Sequence, residues 1–225
     1  MSSSPLPSGQ PPVAAHRRSR RKDARPGELL DAALQLFVEK GFAATRVEEV
    51  AARAGVSKGT LFLYFSSKEE LFKAVVRANI AGLLARWHEE IDAFEGSTAE
   101  MLRHGLSVWW EKVGATPASG ITKLMMSEAR NFPEIAAFYQ REVVQPGREL
   151  LRRMLRRGME RGEFRAIDPD YALFSILSGM LFLVLAQHSD IACVAPGAPA
   201  LDPQTYLACQ VDVLLNGLLK RPEVH

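Results

Sequence analysis

The 225-residue chain has only two cysteines, Cys193 and Cys209. That excludes a disulfide-dense scaffold, and without a paired CxxC spacing it argues against a structural zinc site. Charge of one sign is lacking too: 28 Lys and Arg stand against 26 Asp and Glu, so bulk charge does not mark a nucleic-acid binder and such a role must come from where charges sit. There is no apolar run of spanning length. Tyr171 to Ala186 falls short of the roughly 20 residues a bilayer requires and contains Ser175, Ser178 and Gly179, so it reads as a buried helix. The opening residues carry no apolar core of signal-peptide type, and the basic run follows them. Nucleophile elbows, phosphate loops and paired metal ligands are absent from the pattern, so no catalytic residue, metal site or cofactor emerges. His88, His104 and His188 stand apart without metal-ligand spacing. The expectation is a cytoplasmic, non-enzymatic protein with no membrane partner.

Apolar residues at 47% and charged residues at 24% are enough for a packed core and make disorder of the whole chain untenable. Positive charge is concentrated in Arg17, Arg18, Arg20, Arg21, Lys22 and Arg25, opposed there only by Asp23. With the Ser- and Pro-rich stretch before it, this makes residues 1–24 a disordered basic arm. From Pro26 apolar residues recur at three- and four-residue spacing without strand-like alternation, which predicts an all-α protein. Thr45 with Glu48, Ser67 with Glu70 and Ser97 with Glu100 have capping-box spacing, and Asp168-Pro169 and Asp202-Pro203 join a cap to an N1 proline. Gly41, Gly55 and a loop over 195–203 supply stops. The resulting helices lie near 27–40, 46–54, 58–65, 68–93, 98–113, 120–131, 134–162 with a kink at Pro146, 169–189 and 203–219.

The densest information lies in Gly41 to Phe72, which fits three short helices into little chain. Val47, Val50, Ala51 and Ala54 give one helix an apolar face, Gly55 turns the chain, and Ser57 caps the next helix with Val56 placed to staple onto Leu61. That is a helix-turn-helix, whose second helix enters the major groove of DNA. If Leu61 and Phe65 face the core, then at about 100° per residue Gly59, Thr60 and Leu63 face away, flanked by Lys58, Phe62 and Tyr64. Gly59 permits close backbone approach, Thr60 offers a hydroxyl and a methyl, Lys58 offers a cation for phosphate or guanine, and Lys68 one for a backbone phosphate.

These residues resemble the DNA-binding domain of the TetR/AcrR family of bacterial regulators: Thr45, Ala54-Gly55-Val56-Ser57, Gly59-Thr60-Leu61, Tyr64-Phe65 and Ser67-Lys68-Glu69-Glu70-Leu71 match its pattern at fixed offsets. Phe62 stands where that family usually has Tyr. Ser127 to Gly147 resembles a stretch of the sensor domain in one branch. The resemblance implies DNA contacts by Thr45, Lys58, Gly59, Thr60, Tyr64 and Lys68, and Arg46, Ser57 and Leu63 complete the expected DNA-binding set. It also implies a three-helix DNA-binding domain over 25–73, and a larger helical bundle over 74–225 that senses a ligand and dimerises.

Trp109, Met125, Met126, Phe132 and Tyr139 are candidates to line the ligand pocket, against a plainer reading as core filler. Ser175, Ser178 and Gly179 allow close helix approach and, with Leu214 and Leu218, make the expected dimer face. Arg148, Arg152, Arg153, Arg156, Arg157 and Arg161 read as the wet face of a long helix, and Glu128 and Arg130 as structural. The reading is a homodimeric regulator of double-stranded operator DNA, most readily a repressor released by a small apolar effector. An activator, or a DNA-binding protein without small-molecule control, is the alternative.

Overall fold

The computed structural model describes the backbone of residues 14–188 and 201–218, with side chains from residue 26 onward. Helix α1 (Ala14–Ala44) contains a single non-helical residue, Gly41, at φ +85° and ψ 168°. Helices α2 (Val47–Arg53) and α3 (Lys58–Phe62) follow. Three later helices are continuous but each contains one wider π turn. These are α4 (68–93, widened at Arg77–Ala81), α5 (98–114, widened at Trp110–Gly114) and α7 (133–160, widened at Gln140–Val144). Between and after them come α6 (Ser119–Glu128), α8 (Pro169–His188) and α9 (Pro203–Leu218). No strand occurs among the described residues.

Local chemistry accounts for most boundaries. Ser57 Oγ accepts from Thr60 N–H and Ser67 Oγ from Glu70 N–H, while Ser97 and Glu100 form the full reciprocal box. Asp202 Oδ2 accepts from Thr205 N–H at 2.8 Å. Two expectations need correcting here. Residues 14–24 of the arm expected to be disordered are the first turns of α1, in keeping with the high helix propensity of their Ala, Arg and Lys; residues 1–13 lie outside the described residues. Thr45 does not cap α2 either. Its Oγ1 donates within the first helix end, 2.7 Å from Gly41 O and 3.1 Å from Leu36 O, and the N-cap position falls to Arg46, whose side chain makes no capping bond.

The helices α1 to α4 close over a ring cluster of Phe37, Phe42 and Phe72, with centroids 5.2 to 5.6 Å apart, joined by fully buried Leu61 and Leu71. This core continues into the rest of the molecule through Ile80, Val113 and Ile121. Helices α4 and α7 run parallel, tied level by level: Arg77 to Glu142, His88 to Arg153, and Arg157 to the carbonyls of Phe94 and Gly96. Because Arg153 can only donate, His88 Nδ1 accepts, and its Nε2–H donates to Pro146 O at 3.0 Å. Arg152 pairs with Glu149 and Asp170, Arg153 with Asp92, and Arg161 with Glu163. Arg152, Arg153 and Arg157 thus tie α7 to Asp170, Asp92 and the carbonyls of Phe94 and Gly96, acceptors that spacing alone does not bring near, which corrects the wet-face reading for these three; Arg156 is exposed, as expected.

Helix α8 is apolar all round and packs on α6, α7 and α9. By length and composition it could cross a membrane, with a mean hydropathy of 1.7 over a window that is only 28% buried. The expectation of a buried helix therefore fails for the single chain: Tyr171, Phe174 and Leu185 on α8, and Val213 on α9, are exposed. Cys209 is free and exposed, whereas Cys193 and most of the expected 195–203 loop lie outside the described residues.

Candidate functional site

The second helix of the helix-turn-helix presents a small exposed surface. Ser57, Lys58 and Gly59 are exposed, Leu63 is 83% exposed, and Phe62 and Tyr64 are partly so, while Leu61 beneath them is fully buried. The Oγ atoms of Ser57 and Thr60 lie 2.9 Å apart. Lys58 Nζ sits 2.5 Å from Glu48 Oε1 and over the Phe62 ring at 5.8 Å, and its hydrogen bond holds the Glu48 carboxyl below its usual range. A phosphate or guanine approaching Lys58 competes with that exposed carboxylate, a weak competitor in water.

Two residues expected at DNA are engaged elsewhere. The Thr45 side chain is buried and both its hydrogen bonds point inward. Lys68 Nζ donates to the carbonyls of Phe42, Ala43 and Thr45 at 2.8, 3.3 and 3.1 Å and lies over the Phe42 ring, so its three N–H groups cap the end of α1. Arg46 is exposed beside this cap.

Opposite Lys68, Glu128 at the end of α6 grips the same backbone. Its two carboxylate oxygens accept from Phe42 N–H and Ala43 N–H, both at 3.2 Å. Gly41 makes the approach possible, because a Cβ at that position would collide with Glu128 Oε1. Phe132 packs edge-on against Phe42 at 4.8 Å. The expected pocket residue Phe132 is therefore a junction residue between the two parts of the protein.

A largely apolar cavity of about 720 Å³ lies among α4, α5, α7 and α8. Of the five pocket candidates, Trp109 and Tyr139 line it; Met125 belongs to the core and Met126 is exposed. All three π turns contribute wall, through Ile80, Val113, Val143 and Val144. At that end Thr122 Oγ1 and Tyr139 Oη lie 2.9 Å apart, and burial pushes the Tyr139 phenol up to about 12, so it stays neutral. Sequence reasoning missed the α4 wall of Ile80, Leu84, Trp87 and Ile91, although its four-three-four spacing was a usable signal. It also read Arg148 as part of a wet face, whereas Arg148 lines the chamber. Among the dimer candidates, Ser175 and Ser178 are exposed and Leu214 half-buried, but Leu218 is core and Gly179 is covered by the Gln210 side chain of α9.

Residues 29–75 match the model of bacterial regulatory proteins of the tetR family, and residues 94–192 match that of a tetracyclin repressor-like C-terminal domain. The chain is 30% identical over 153 residues to the uncharacterized HTH-type transcriptional regulator YfiR of Bacillus subtilis, covering 66% of this chain and 72% of that protein. It is 29% identical to the HTH-type transcriptional repressor KstR2 of Mycobacterium tuberculosis over 88% of this chain and 94% of that one. The structure of that ketosteroid transcriptional regulator superposes with a TM-score of 0.62 at 26% identity, covering 88% of this chain and 96% of that one. The fatty acid regulator FadR of Bacillus subtilis, solved with stearoyl-CoA, shares the fold at a TM-score of 0.69 and 19% identity over 85% of this chain and 98% of that one. A reading helix held clear of its core, an apolar chamber behind it and these matches in both halves have one meaning: the chain belongs to the TetR family and is a DNA-binding transcription regulator.

Proposed function

We propose that the protein is a cytoplasmic, dimeric repressor that binds a palindromic operator and is released by a small, mainly apolar effector. The observation that carries this reading is the continuity of α4, which opens in the DNA-binding part, passes through a π turn and forms a wall of the cavity. At about 1.5 Å per residue the 68–93 run is long enough to couple the two. An effector that widens the chamber moves α4 and changes the separation of two reading heads that must meet grooves about 34 Å apart. A difference of about 1 to 3 kcal/mol in effector affinity between the two arrangements suffices for appreciable release.

Ser57, Lys58, Gly59, Thr60, Leu63 and Tyr64 are the residues we assign to DNA, with Arg46 at phosphate. The division into DNA-binding (25–73) and sensing (74–225) parts follows that assignment. For the dimer we favour the exposed apolar side chains Tyr171, Phe174, Leu185 and Val213, flanked by Ser175 and Ser178. A second copy of α8 and α9 is a better cover for them than a bilayer, since α8 already packs on α6, α7 and α9. Repression is favoured over activation by the KstR2 relatives, named as repressors; FasR of Mycolicibacterium smegmatis, 43% identical over 76 residues, is named as an activator. The test is operator selection from genomic fragments, then anisotropy titration of the selected site with and without candidate effectors. Few palindromic sites and effector-dependent release are expected. Scattered sites, or a complex indifferent to a ligand that fills the cavity, would refute the reading.

A further inference from the structure

The cavity wall holds one residue out of keeping with the rest. Arg148 lines the chamber, its Nε is fully buried, and among the described residues it has neither a hydrogen-bond acceptor nor a carboxylate partner. Its guanidinium rests only on the face of the Phe174 ring, 5.0 Å from the centroid. The comparably shielded arginines of the same helix differ: Arg152, Arg153 and Arg157 all have carboxylate, hydroxyl or carbonyl acceptors. Leaving a charged donor buried and unpaired is unfavourable, and an arriving acceptor would relieve it. Among the described residues no protein group supplies it. Glu149 next door is paired to Arg152, and the lining acids Glu90 and Glu95 belong to the far end of the chamber, level with Arg153 and Arg157.

We infer that the effector is an apolar carboxylic acid whose carboxylate pairs with Arg148 and whose apolar body runs toward the Thr122–Tyr139 end. The inference rests on the reading of this chamber as the effector site. A guanidinium fork matches a carboxylate through two parallel N–H···O bonds, which an ammonium does not. Residues 139 and 148 lie on one helix, so at about 1.5 Å per residue the span from head to tail end is about 13 Å, the reach of an extended medium-length chain. Between them the walls are Leu84, Val143, Val144 and Gly147, with no charged side chain. At the tail end Tyr139 is neutral and tied to Thr122, which suits a methyl terminus or a neutral polar group and disfavours a second charge.

Dodecanoate and dodecanol separate the head group from the tail. Both are titrated against the full chain by quenching of Trp87 and Trp109, which line the chamber, and then against its operator complex. Dodecanoate is expected to bind at least about tenfold more tightly than dodecanol, as one charge-assisted pair implies. Arg148→Met, checked for folding by circular dichroism, is expected to bring dodecanoate down to the dodecanol level, and Arg148→Lys to fall between. Equal binding of the two probes to the wild-type chain overturns the inference even if Arg148→Met does not fold, as does unaltered dodecanoate binding in a folded variant; the chamber then remains a neutral-ligand site. Preferred binding of dodecanoate without operator release upholds the pairing of a carboxylate with Arg148 and refutes the reading of the chamber as the effector site. Binding of neither probe refutes the inference and the chamber together.

Discussion

The grip of Glu128 on the end of α1 can be measured by a double-mutant cycle with Gly41. Alanine at position 128 removes both acceptors for the Phe42 and Ala43 N–H groups, of which the Phe42 bond is partly buried and the Ala43 bond exposed. Hydrogen bonds to a charged group contribute about 1.5 to 3 kcal/mol, and the exposed one less, so Glu128→Ala is expected to cost about 2 kcal/mol. Gly41→Ala does two things. It places a side chain at φ +85° and ψ 168°, a region open essentially to glycine alone and costing about 1 to 3 kcal/mol, and it pushes the carboxylate off its two donors. The double variant keeps the backbone strain but has no carboxylate left to displace. It should therefore be less destabilised than the sum of the singles, by roughly the 2 kcal/mol of the shared grip. Urea unfolding of the three variants and the wild type at fixed protein concentration measures this. Additivity within about 0.5 kcal/mol would mean that the carboxylate contributes nothing at this junction.

Lys58→Ala is expected to weaken operator binding and lower the slope of log affinity against log salt by about 1, while Thr60→Val costs about 1 to 3 kcal/mol at one operator position; salt-dependent anisotropy on point-mutated operators checks both. Phe62→Tyr adds a hydroxyl to a ring already 41% exposed, and is expected to strengthen operator binding without altering the melting temperature. Tyr139 has its phenol raised to about 12 by burial, so its contribution is intact below pH 10 and is lost as pH climbs from there through 12. Tyr139→Phe should flatten that alkaline loss in pH-dependent unfolding, and an unchanged curve would place the loss elsewhere. Tyr171→Asp with Phe174→Asp should yield monomers by sedimentation and weaken operator binding; dimers that persist would move the interface off α8.

The helix-turn-helix was legible because its information is local. Ser57 caps a residue three positions on, Gly55 turns the chain at φ +67°, and Leu61 and Phe65 follow helical period. What escaped was fixed by partners far along the chain. Lys68 bonds carbonyls 23 to 26 residues back, and Glu128 reaches N–H groups 85 and 86 residues away. Thr45 looked like a cap from spacing, but its hydroxyl found the carbonyls of Leu36 and Gly41 as the chain reversed there. Aromatic and methionine content marked the sensing half correctly as rich in apolar volume. It did not separate Trp109 and Tyr139, which face the chamber, from Met125 and Phe132, which do not, because both sets keep the same helical period.

The three widened turns bear on how this protein tolerates insertions and deletions. A π turn holds one more residue than the α turn it replaces, so removing one residue from 140–144 would let an ordinary α turn close in its place and leave everything after it facing as before. Arg148, Leu151 and Met154 would keep their places in the chamber, whereas the same deletion in the regular turns after 145 would rotate whatever follows by about 100° about the helix axis. Single-residue length changes at the π turns are therefore absorbed locally and reshape only the Val143–Val144 patch of the wall, a route to new effector specificity that point substitution does not offer.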